Sequence, residues 1–143
     1  MSRRVVIDTS SLVGAVIRPD QVLQRVLDEH DLFVSSGSLS ELERVLLGKK
    51  LQRYGTAEER LAFIAVIRRN AIQIDVTVQQ LEALQGECRD TKDREFLAIV
   101  EAIRAHVLVS SDQDLLVLNP WRGIPILTPA QFLEQCNESA PHE

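Results

Sequence analysis

Four acidic side chains stand where apolar runs hand over to polar, helix-opening segments. Asp8 directly follows Val5-Val6-Ile7. Glu41 comes three residues after Ser38, in the segment that follows Leu32-Phe33-Val34. Asp93 closes Asp90-Thr91-Lys92-Asp93, and Asp112, with Asp114 two residues on, lies just past Val107-Leu108-Val109. Singly, each has a structural explanation. Asp8 and Asp112 suit N-caps, Ser38-x-x-Glu41 reads as a capping box, and Asp93 favours a helix dipole with Asp90 as the cap. Jointly they have a chemical one. Three or four ionised carboxylates within a few ångströms repel one another, so a protein keeps them only with a cation or with some protonated. Oxygen ligands without His or Cys select hard ions such as Mg²⁺ or Mn²⁺, which act on phosphates by activating water or steadying a leaving oxygen.

Whether these acids meet depends on the elements that carry them. Val5–Ile7, Leu32–Val34, Ile72–Ile74, Val107–Val109 and Ile124–Leu127 read as strands, the last interrupted early by Pro125. Helices are expected over 9–16, 21–30, 39–47, 57–71, 90–105, 113–117 and 129–137, with a polar connection that holds one helical turn over 77–89. Thr56-x-x-Glu59 is a capping box, and Thr128-Pro129-Ala130-Gln131 places a cap, a proline at N1 and an N3 partner. Pro19-Asp20 and Pro120-Trp121-Arg122-Gly123 read as a break and a turn. Strands alternating with helices argue for an α/β fold with a mostly parallel sheet and helices on both faces. In such sheets the strand carboxyl ends share one edge, where ligands bind. The acids after the first, second and fourth strands therefore fall together, and the Asp93 helix start joins them.

Composition narrows the class. The chain has 143 residues, 16 Lys+Arg against 21 Asp+Glu, and 45% hydrophobic residues. That suits one domain, taken as 1–136, with a loose tail over 137–143. No apolar run approaches a membrane span and the first residues do not read as a signal peptide, so a cytoplasmic protein with no membrane partner is expected. The net charge of −5 argues against wholesale coating of nucleic acid but not against local phosphate contact. Lys49, Lys50 and Arg53, and Lys92 and Arg94 beside Asp93, are the best-placed phosphate-contact candidates; Arg68 and Arg69 read as a solvated face. Cys88 and Cys136 are too few and too far apart for a metal knuckle, and His30, His106 and His142 lack ligand spacing. Two phosphotransfer folds that also place an acid after strand one fit poorly. One needs a second acid at position 10, which is Ser10, and the other a late lysine, whereas none follows Lys92.

The motifs as a set resemble the PIN-domain family. Val5-Val6-Ile7-Asp8-Thr9-Ser10 resembles its opening, and Ser38-Leu39-Ser40-Glu41-Leu42 its second motif. Asp90 through Leu97 is similar to the third, Ser110 through Leu116 to the fourth, and Ile126 through Leu133 to the closing strand and helix. Within that family the chain looks closest to the toxin components of bacterial toxin–antitoxin pairs. The resemblance implies a Rossmann-like, three-layer PIN fold and a metal-dependent endoribonuclease that hydrolyses phosphodiester bonds with metal-activated water. Carried over, Asp8, Glu41, Asp93 and Asp112 become the catalytic, metal-holding acids, assisted by Asp114, around one or two Mg²⁺ or Mn²⁺ ions. Ser10 becomes the hydroxyl that orients the first acid. It also implies an RNA substrate, a homodimer and a cognate antitoxin; the alternative is a non-catalytic module binding RNA or protein through the same groove. Two positions depart from many relatives: Ser111 stands where glycine is common, and Arg94 where a further acid is.

Overall fold

A computed structural model describes residues 2–19, 21–88 and 90–138. The expected break at Asp20, the end of the polar connection at Arg89 and the tail beyond Glu138, with His142, lie outside these residues. The strands are short and mostly apolar: β1 (Arg4–Ile7), β2 (Asp31–Val34), β3 (Ile72–Gln73), β4 (Val107–Val109) and β5 (Ile126–Leu127). They form one parallel sheet in the order β3-β2-β1-β4-β5. Parallel neighbours need crossovers, and helices supply them. α1 (Thr9–Ile17) and α2 (Val22–Glu29) link β1 to β2; α3 (Ser36–Leu46) and α4 (Ala57–Asn70) link β2 to β3. α5 (Val78–Glu82) and α6 (Arg94–Ile103) lead to β4, α7 (Gln113–Leu116) precedes β5, and α8 (Pro129–Glu138) follows it. No helix among the described residues is long and apolar enough to cross a membrane.

Alternation along the central strands divides the interior into two cores. Val5, Ile7, Val107 and Val109 pack with Leu12, Val26, Leu42, Ile67 and Phe132, which come from α1 to α4 and α8. Val6 and Leu108 pack with Phe96, Leu97 and Ile99 of α6, Leu115 of α7 and Trp121. Helices on both faces of one sheet make the three-layer α/β arrangement that the continuous apolar runs imply. The Thr56–Glu59 box and the Thr128–Gln131 start both form, each with its reciprocal pair of hydrogen bonds.

Three local expectations are corrected. α3 begins at Ser36, not near Leu39, because Ser35 is its cap. Ser35 Oγ accepts the Ser38 N–H at 3.0 Å, and Ser38 Oγ accepts the Ser35 N–H at 2.9 Å. A serine pair thus does the work of the box, and Glu41 sits in the second turn, not the first, outside any capping role. α6 begins at Arg94, not Asp90. Residues 90–93 make a turn in which Asp90 Oδ1 accepts the Lys92 N–H at 2.9 Å and the Asp90 carbonyl accepts the Asp93 N–H at 3.1 Å. Finally, β5 is only Ile126–Leu127. Ile124 instead pairs antiparallel with Trp121 across Arg122 and Gly123, whose φ angles of 49° and 81° make the tight turn that glycine favours.

Candidate metal centre

The register of the two central strands brings the first and last motifs into contact. Ile7 pairs with Val109, so the next residues along, Asp8 and Ser110, emerge side by side. Ser110 Oγ donates to Asp8 Oδ2 at 2.6 Å and accepts the Asp112 N–H at 2.9 Å. One buried hydroxyl therefore ties both acid-bearing strand ends together. Asp8, 1% exposed, also caps α1 by accepting the Ser11 N–H at 2.9 Å, and Ser10 Oγ lies 3.0 Å from each of its oxygens. Ser10 thus stands where the expected orienting hydroxyl would. Sheet order reverses here, since β1 leads to β2 on one side and has β4 on the other, and a crevice opens at such a switch point beyond the carboxyl ends.

That crevice is a cleft of about 430 Å³ lined by Asp8, Ser10, Glu41, Asp90, Lys92, Asp93 and Asp112, with Val13, Ile17, Val45 and Phe96 supplying apolar wall. Asp90, Asp93 and Asp112 of this lining, with Asp114 beside them, each bring one carboxylate oxygen within 4.8 Å of the other three. Asp112 caps α7 by accepting the Asp114 N–H at 2.9 Å, so capping and clustering are the same placement. Asp93 is 6% exposed, and its Oδ2 is buried without a hydrogen-bond partner. Burial first, then the Asp112 carboxylate beside it, then Asp90 and Asp8, push the Asp93 carboxyl up to about 8. Burial likewise raises Asp8, against the lowering pull of its hydrogen bonds from Ser110, Ser11 and Ser10. The donor set fits a hard divalent cation. It is all oxygen, without His or Cys among the cleft-lining residues, and it presents a buried, unpartnered carboxylate oxygen where positive charge would remove the electrostatic penalty.

The structure therefore gathers Asp93, Asp112 and Asp114 tightly, places Asp8 against them through Ser110, and sets Glu41 on the same cleft from α3. Two contributors lie outside the expected set. Asp90 looks like a helix cap in sequence and joins the cluster instead, because its side chain closes a turn one step before the helix. Ser110 is visible in principle, since it is the residue after β4 as Asp8 is the residue after β1. Of the basic candidates, Lys92 lines the cleft. Arg94, Lys49, Lys50 and Arg53 do not, and the Arg53 guanidinium lies 5.8 Å from the Tyr54 ring centroid. Cys88 and Cys136 are buried free thiols, and burial with the nearby acids raises Cys88, which is opposite to what a nucleophile needs.

The parallel sheet with this acid-lined switch point belongs to a known class. The sequence matches the PIN domain family over residues 4–114, and the chain belongs to that family. Several particular proteins are similar to it. An uncharacterized protein of Methanocaldococcus jannaschii, MJ1680, is 26% identical over 145 residues, covering 92% of this chain and 90% of its own length. Among solved structures, PAE2754 from Pyrobaculum aerophilum superposes with a TM-score of 0.66 at 15% identity, covering 97% of this chain and 100% of that one. VapBC2 from Rickettsia felis, bound to a DNA fragment from its promoter, gives 0.61 at 14% identity, with 86% and 96% covered. VapC20 from Mycobacterium tuberculosis, a sarcin-ricin loop cleaving toxin, gives 0.56 at 17% identity, with 77% and 91% covered. At these identities the superpositions establish a shared fold.

Proposed function

We propose that the protein is a divalent-cation-dependent endoribonuclease and the toxin component of a toxin–antitoxin pair. The observation that carries this reading is the four-carboxylate cluster at the switch point, which includes the buried Asp93 with its unpartnered oxygen. Clustered acids of this kind destabilise an apo fold, and a cation-requiring activity is the reason to retain them. Asp93, Asp112 and Asp114, with Asp90, would hold the ion, and Asp8 and Glu41 complete the acidic lining. A bound Mg²⁺ or Mn²⁺ would supply Lewis acidity toward a phosphodiester and lower the pKa of water.

The chain's own residues do the rest. Ser10, Ser11 and Ser110 fix the Asp8 carboxylate from three sides, so it keeps one orientation toward the cleft. Lys92 offers a cation at the rim for a phosphate of the strand. Val13, Ile17 and Val45 give the bound substrate an apolar surface that sheds water. The partner reading draws on a structural neighbour: VapBC2 of Rickettsia felis was crystallised bound to a DNA fragment from its promoter. A cognate antitoxin is proposed for this chain on that footing, and a homodimer only on the family resemblance.

The test is cleavage of a panel of structured and single-stranded RNAs with Mg²⁺, with Mn²⁺ and with chelator, beside Asp8→Asn and Asp93→Asn. Metal-dependent cleavage that falls by about 100-fold or more in both variants is expected, the scale of removing one essential electrostatic group. Cleavage that persists in both variants, or an absence of cleavage together with no divalent-ion binding by calorimetry, overturns the reading. The second result leaves the non-catalytic binding module.

A further inference from the structure

Glu95 makes a contact for which the cleft chemistry gives no reason. It lies in the first turn of α6, two residues after Asp93, yet its carboxylate is directed to α3. Ser35 Oγ donates to Glu95 Oε1 at 2.9 Å. A Cβ added at Gly37 would lie 2.4 and 2.8 Å from the two Glu95 carboxylate oxygens, so the carboxylate occupies space that only glycine leaves at that position. The same end of α3 takes a second acid, because Asp75 Oδ1 accepts the Ser36 N–H at 3.0 Å. Two carboxylates from two other segments thus meet the positive end of an 11-residue helix, where negative charge is favoured.

The consequence concerns which elements are joined. α3 carries Glu41 and Val45 into the cleft, and the turn before α6 carries Asp90 and Asp93. That turn sets Asp90 and Asp93 beside Asp112, with one carboxylate oxygen of each within 4.8 Å of the others. Resting on the reading that the cluster holds a divalent cation, we infer that Glu95, latched against Ser35 and Gly37, is a positioning residue that holds the Asp90–Asp93 turn in register with α3. It touches neither ion nor substrate; it keeps the carboxylates pre-arranged so that little reorganisation is needed on binding.

Gly37→Ala separates this role from plain stability. The added methyl displaces only the far end of a flexible glutamate, and alanine is the better helix residue. The full-length variant should melt in chelator at the wild-type temperature or above, while its calorimetric Kd for Mn²⁺ rises about 10-fold, the scale of lost outer-shell support. Glu95→Ala should show the same weakening. Glu95→Gln, whose amide oxygen still accepts from Ser35, should recover most of the affinity. Unchanged Mn²⁺ affinity in Gly37→Ala and Glu95→Ala, with normal wild-type binding, overturns the latch alone. Equal losses in Glu95→Gln and Glu95→Ala overturn it too, because the charge and not the placement then matters. Wild-type protein that takes up no Mn²⁺ overturns the latch together with the metal reading.

Discussion

Asp93 is the residue on which folding and site chemistry conflict. Folded, its carboxyl holds a proton up to about 8, pushed there by burial and then by Asp112, Asp90 and Asp8. Unfolded, it ionises at about 3.9. Between those values the folded state binds more protons than the unfolded one, so without metal stability falls as pH rises from about 4 through about 8. Asp8, also raised, adds to the same slope. Asp93→Asn carries no such proton, so its melting temperature in chelator should vary less between pH 5 and 8.5 than that of the wild type. A wild-type protein that melts higher at pH 8.5 than at pH 5 in chelator would contradict the sign. The same substitution should abolish cleavage, so stability and activity move in opposite directions at high pH.

At the scale of elements, the caps and the two cores decide where the acids end up. Asp8 and Asp112 are N-caps as well as members of the candidate site, and each begins its helix at the sheet edge and not a turn away. α6 is buried around its circumference, through Phe96, Leu97, Ala98, Ile99 and Val100, and packs against β1. Leu97 is fully buried, so Leu97→Ala should cost about 2–5 kcal/mol by the usual scale for emptied leucine sites. That is read as a lowered denaturation midpoint with unchanged m. Because α6 follows directly from the Asp90–Asp93 turn, the same variant should weaken Mn²⁺ binding. The helix starts were only partly legible in the sequence. Thr56 and Thr128 announce their helices correctly because a Glu or Gln stands three residues on. The start of α3 is misplaced because two serines can cap each other, and a Ser-to-Glu spacing then looks like a box that does not form.

For the whole molecule, a cation that binds only the folded state must stabilise it by mass action. At about 100 times its Kd, Mg²⁺ or Mn²⁺ should add roughly 2.7 kcal/mol. At a fixed ion concentration the gain should be larger at pH 8 than at pH 5, since at low pH the ion must first displace protons from Asp93 and Asp8. A differential scanning measurement with and without the ion at both pH values checks this, and Asp93→Asn should lose most of the shift.

The sequence by itself determined the strands and the fold class, because β-branched runs as short and apolar as Val5–Ile7 and Val107–Val109 are stable only when buried on both faces of a parallel sheet. It also determined that acids follow those runs, so Asp8 and Asp112 share an edge in any such sheet. Tertiary structure alone decided which acids touch. Asp90 enters the cluster because a side-chain turn delays α6 by four residues, and no local spacing distinguishes that turn from a first helical turn. Ser110 meets Asp8 because β4, 102 residues away in the chain, pairs in the register that aligns Val109 with Ile7. Glu95 reaches Ser35 because α6 packs beside α3, a contact between helices that no pattern within either one encodes. Local pattern reports what a residue can do with its near neighbours in the chain, and a site made of distant segments is set by the packing that brings them together.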